Sequence, residues 1–139
     1  MAEYNVSSGS WEHWPLLGEG RYGHSCAMVG DTVVVAGGAD HRDNYLASTL
    51  VVDTVTRQYR EAGRLARERF SLGMARVGDK LVAFGGFDNS LTSLGSVEEW
   101  QEEQEVWMES QLELEDGRAE FGAVTVTGEV VCAQNSDED

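Results

Sequence analysis

"RYGHSCAMVGDTVVVAGG" (Arg21–Gly38) is written a second time, 48 residues on, as "RFSLGMARVGDKLVAFGG" (Arg69–Gly86). Arg21, Gly30, Asp31, Gly37 and Gly38 overlay Arg69, Gly78, Asp79, Gly85 and Gly86. A match of that length and fixed offset marks an internal repeat, which must be read before any single element. The register continues outward: Arg57 answers to Glu105, Tyr59 to Trp107, and Trp11 stands before Arg21 as Tyr59 stands before Arg69. A further copy begins in "GRAEFGAVTVTGEVVCAQN" (Gly117–Asn135), with Arg118, Gly122 and Gly128, and carries one extra residue. Gln134 and Asn135 stand there in place of the glycine doublet, before an acidic "SDED" tail at 136–139.

Each unit reads as four short strands. "GHSCAMV" and "TVVVAG" flank the tight-turn pair Gly30-Asp31, and "STLVVD" and "RQYREA" follow around a polar turn. The second unit gives "LGMARV", "KLVAFG", "SVEEW" and "EVWME". Glu and Gln favour helices, so "EEWQEEQEVW" alone would read as one. Its repeat counterpart, "VVDTVTRQY", is β-branched, and the register makes both strands. The fold class is all-β. Two successive glycines after an apolar strand permit dihedrals closed to other residues and a close backbone approach.

Composition limits the function classes. The 139 residues, 41% hydrophobic, suit one globular domain. One proline and 16 glycines leave the turns to glycine. A formal charge of −15 argues against nucleic acid and against an anionic membrane as partner. No apolar run reaches the roughly 20 residues of a spanning helix, and the first residues do not read as a signal peptide. Cys26 and Cys132 sit in apolar runs and read as buried, reduced thiols of a cytoplasmic protein. The "NVS" at Asn5 matches a glycosylation sequon of the kind that arises by chance.

The doublet, then an aromatic slot, then a second aromatic seven residues on, resembles the kelch repeat. The matching residues are Gly85, Gly86, Trp100 and Trp107; Gly37, Gly38, Val52 and Tyr59; and, without glycines, Tyr4 and Trp11. Val52 and Tyr59 depart from the pattern, as does the missing third doublet. The resemblance implies blades of a β-propeller: two complete four-stranded blades (21–68 and 69–117), with the end of a blade at 1–20 and the start of one at 118–135. It implies that Trp11, Tyr59, Trp100 and Trp107 fill the space between blades. Three blades fall below the roughly four to eight of a closed ring. A longer parent protein, or a homodimer closing a six-bladed ring, would complete it.

Catalytic patterns are scarce. His13, His24 and His41 are the histidines, with no paired ligand spacing, and "GEGRYG" lacks the rest of a phosphate loop. The expectation is a binding module without catalytic residues, metal or cofactor; a kelch-fold enzyme acting on a sugar and an actin-binding scaffold are the alternatives. By resemblance, a partner protein or peptide docks on loops between strands two and three ("ADHRDNYLAS", 39–48; "FDNSLTSLGS", 87–96) and on inter-blade stretches ("EHWPLLGEG", "REAGRLARE", "MESQLELEDG"). The loop residues singled out are Arg42, Asn44, Tyr45, Asp88 and Asn89. Arg21, Arg69 and Arg118 open each unit and have two readings: carboxylate binding at the mouth of that face, which suits an acidic peptide, or a structural bond to a neighbouring blade. Many kelch proteins select substrates for ubiquitin ligases through a separate BTB domain, which the sequence does not contain.

Overall fold

The computed structural model describes residues 2–13, 18, 20–126 and 129–132. All described elements are strands: β1 (Ala2–Asn5), β2 (Ser10–His13), β3 (Ser25–Val29), β4 (Thr32–Ala36), β5 (Thr49–Asp53), β6 (Tyr59–Ala62), β7 (Gly73–Val77), β8 (Lys80–Phe84), β9 (Ser96–Gln101), β10 (Val106–Glu113), β11 (Ala123–Val126) and β12 (Glu129–Cys132). They form two four-stranded sheets, β3-β4-β5-β6 and β7-β8-β9-β10, and two-stranded sheets β1-β2 and β11-β12. Every pairing is antiparallel. These are propeller blades, two whole and two halves.

The repeat recurs atom by atom. Asn5 Oδ1 accepts from the amides of Ser7 and Ser8 at the β1–β2 turn, and Asp53 Oδ1 accepts from Val55 and Thr56 at the β5–β6 turn. Those turns and the one before β10 close through equivalent left-handed residues, Gly9, Arg57 and Glu105. The helix-favouring segment 96–113 folds as the hairpin β9–β10 because Trp100 and Trp107 must pair across it.

The main core lies between the whole blades. Val34, Ala36 and Val51 of one meet Leu81, Ala83, Trp100 and Trp107 of the other. The Trp107 indole donates to Thr49 Oγ1 across the interface at 2.8 Å. On the far side of the second blade, Val82, Phe84 and Val97 pack against Phe121 and Ala123. Tyr4 and Trp11 have the same tilted geometry as Trp100 and Trp107, with ring centroids 5.3 Å and 5.1 Å apart and both pairs at 57°. Trp11 is nevertheless 66% exposed. In register, its face turns away from the first blade, and among the described residues no sheet covers it. Tyr59 is also partly exposed, at 39%.

Two further expectations change. Cys26 is free but exposed, because it alternates onto the open side of the first strand; the side chain of Cys132 and the tail 136–139 lie outside the described residues. Most of "MESQLELEDG" is not loop: β10 runs to Glu113, eight residues long, with a register shift between Glu109 and Glu113. The bulge absorbs the extra residue of the repeat, since Leu65 and Leu114, one residue out of register, make equivalent bonds to Ala47 and Gly95.

Candidate functional site: the loop-bearing end of the blades

Strands one and three of each blade start, and strands two and four finish, at the same end of the sheets. Loops 39–48 and 87–96 and the inter-blade linkers therefore share one face. Residues 14–17 and 19 of the linker "EHWPLLGEG" lie outside the described residues.

The glycine doublets build this face. Gly38 and Gly86 donate their amides to the carbonyls of Arg69 and Arg118, the opening residues of the next units, both at 2.8 Å. A Cβ on Gly37 or Gly85 would stand 2.5 Å or 2.6 Å from those carbonyls, and all four glycines have positive φ. Only glycine satisfies both demands.

The arginines divide differently from either sequence reading. Arg69 is 1% exposed. It donates to the Gly85 and Ser96 carbonyls at 2.8 and 3.1 Å and to Ser96 Oγ at 2.8 Å, while Glu98 accepts from its Nε at 3.1 Å. The second Glu98 oxygen accepts from the Ala66 amide of the preceding linker, so the ion pair also anchors the blade junction. Arg69 is thus corrected from a partner-binding residue to a scaffold residue, because a guanidinium enclosed by its own blade has no donor turned to solvent. Arg21 repeats the pattern, half-buried, on Gly37 and Ser48. These bonds run within each arginine's own unit, not to a neighbouring blade. The position of Glu98 is Leu50 in the first unit. Arg118 is partly exposed and donates to the Asp116 carbonyl at 3.3 Å.

The loops are shaped by aspartates. Asp40 accepts from the amides of Arg42 and Asn44 and from the Asn44 side chain; Asp88 accepts from the amides of Ser90 and Thr92. Asn44 and Asp88 therefore hold their loops in shape, while Arg42 and Asn89 are exposed beside them. The Asn44 side chain, foremost, holds the Asp40 carboxyl below the usual carboxylate range.

Tyr45 belongs to an aromatic group that sequence reading missed. Its ring stacks on Phe70 with centroids 4.9 Å apart, and Tyr22 meets Phe70 edge-on at 5.3 Å. Phe70 lies so close to Gly23 that a Cβ there would be 2.2 Å from the ring. The Tyr22 hydroxyl donates to Asp43, which raises the phenol's pKa. The signal was an aromatic directly after each of two repeating arginines, Arg21-Tyr22 and Arg69-Phe70. Backbone bonds tie the mouth together, Ser71 to Gly23 and Glu120 to Ser71. Ser71, Glu120, Asp43 and Leu91 all have positive φ here, and Leu91 is 70% exposed. Among the described residues no group of His, Cys, Asp and Glu is arranged to hold a metal, and no helix is long and apolar enough to cross a membrane.

A family model described as the Kelch motif matches residues 68–110. Kelch-like protein 36 of Bos taurus is 29% identical over 92 residues, which span 66% of this chain and 15% of that protein.

Proposed function

Because the chain is a kelch-repeat protein, we propose that it is a protein-interaction module whose partner docks on the loop-bearing end of the blades. One observation carries this reading: two equivalent loops, each pinned by an aspartate, present exposed residues around an open aromatic cluster on a rigid scaffold. Arg42, Asn89, Tyr45 and the face of Tyr22 are the groups offered to a partner. A finer reading, supported by the resemblance alone, makes the module the substrate-selecting part of a cytoplasmic ubiquitin-ligase adaptor.

The test is a pull-down with the intact chain, its Arg42→Ala/Asn89→Ala variant, and a variant at the opposite end, Val55→Ser. A partner retained by wild type and Val55→Ser but lost with the loop variant supports the reading. Loss with Val55→Ser alone overturns it, as does turnover in a parallel screen on sugars.

A further inference from the structure

The notion of an acidic partner rested on Arg21, Arg69 and Arg118; the first two are spent on the scaffold, and Arg118 is partly exposed beside the Asp116 carbonyl. What remains at the mouth between the two whole blades is an aromatic group among charges of both signs, with Arg64 and Arg67 exposed on the linker and Asp43 beside Tyr22. Tyr22 keeps 46% of its surface open, on an edge-packed Phe70 and beside Asp43. A phenol that donates to a carboxylate gains ring electron density, and an electron-rich ring face attracts cations. Glu120 stands exposed on the same chain of backbone bonds, and the whole chain carries a charge of −15, which steers cationic partners inward. Arg42 and His41 share the loop with Asp43, so attraction is local to the ring and not general to the face.

One unit further round, the position of Asp43 is taken by Leu91, an aliphatic side chain on strained, exposed backbone. A bulky residue at positive φ is an outlier, and Asn or Gly would satisfy the loop at less strain. Its apolar surface is the feature left to explain it.

We infer that this mouth binds a basic, aliphatic peptide segment, with a lysine or arginine of the partner over Tyr22 beside Asp43 and an aliphatic side chain against Leu91. The inference rests on the interaction face proposed above and names the chemistry of its partner.

Fluorescence anisotropy at physiological salt tests it with two labelled probes, a peptide of repeated Lys-Ser-Leu and its Glu-Ser-Leu counterpart. The lysine peptide binds, and the glutamate peptide does not. Asp43→Asn keeps the turn and an acceptor for Tyr22 but removes the charge; it weakens binding about tenfold, a change equivalent to about 1.4 kcal/mol. Leu91→Asn weakens binding while raising the melting temperature. Glu102→Gln/Glu103→Gln, in the β9–β10 turn at the opposite end of the blade, leaves affinity unchanged. Lysine-peptide binding that is absent, or that survives Asp43→Asn and falls with the turn variant, overturns the inference. A glutamate peptide that binds and is lost with Leu91→Asn overturns the basic partner but leaves the face intact. If no mouth variant moves either peptide, the face falls as well.

Discussion

Glycine 86 shows how a single residue specifies a junction. Its φ is +90°, and a Cβ would lie 2.9 Å from the Phe70 carbonyl and 3.1 Å from Leu72 Cβ. Gly86→Val adds a branched side chain to a backbone it cannot adopt, and should cost about 2–4 kcal/mol; urea denaturation measures it, and an unchanged midpoint would reduce the doublet to an ordinary loop. The Arg69–Glu98 pair makes the opposite point about charge. Both side chains are 1% exposed, and Glu98→Leu leaves the guanidinium enclosed without its counter-ion. Breaking a buried pair costs about 3–5 kcal/mol, whereas replacing both partners by apolar residues is often neutral. The double variant Arg69→Met/Glu98→Leu should therefore be more stable than Glu98→Leu alone. Asp40 gives a pH dependence with a definite sign. Its folded pKa is depressed, so its contribution to loop order is present near neutral pH and is lost as the pH falls through that lowered range. The Asn44 amide resonance should hold its position down to that range and move below it; an amide that shifts near neutrality would contradict this assignment.

Between elements, the same two positions meet at successive junctions with their charges exchanged. Arg57 in the β5–β6 turn pairs with Glu12 on β2 at 2.7 Å, and Glu105 in the β9–β10 turn pairs with Arg60 on β6. Equivalent positions in the repeat thus carry Glu then Arg on the outer strand, and Arg then Glu in the turn. The exchange favours each blade beside its own neighbour, since a shift by one unit would oppose like charges. Exposed pairs contribute little, up to about 1 kcal/mol. Arg60→Glu alone should lower the melting temperature slightly, and Arg60→Glu/Glu105→Arg should restore it. If the double variant is no better than the sum of the singles, the pair has no coupling.

At the scale of the molecule, the sheets are unequal in what covers them. The two whole blades seal a core between themselves, while Tyr4 and Trp11 present an exposed aromatic pair already in the geometry of the buried Trp100 and Trp107. Stacked units are stabilised by their neighbours, and uncovered faces and edges seek partners. The 139-residue chain in isolation should self-associate, and Trp11→Ser should reduce that association in light scattering. A discrete dimer with cooperative unfolding is what closure of a six-bladed ring by two chains would give. A polydisperse species would instead reflect open sheet faces, and a monomer would contradict both.

Sequence alone determined the repeat, the strands and the reason for each glycine doublet, because period, alternation and turn chemistry are local and are written twice. Even the deceptive Glu-rich hairpin was legible, once its counterpart was set beside it. Tertiary structure decided the rest. An arginine in a repeating position reads equally as ligand-binding or as scaffold, and only the placement of Gly85, Ser96 and Glu98 around its guanidinium selects the scaffold. Trp11 and Trp107 are equivalent letters in the repeat, yet one is exposed and the other buried, because burial belongs to the neighbouring sheet and not to the residue. The aromatic mouth joins Tyr22, Tyr45 and Phe70 across two units, a contact that exists only after the blades have stacked.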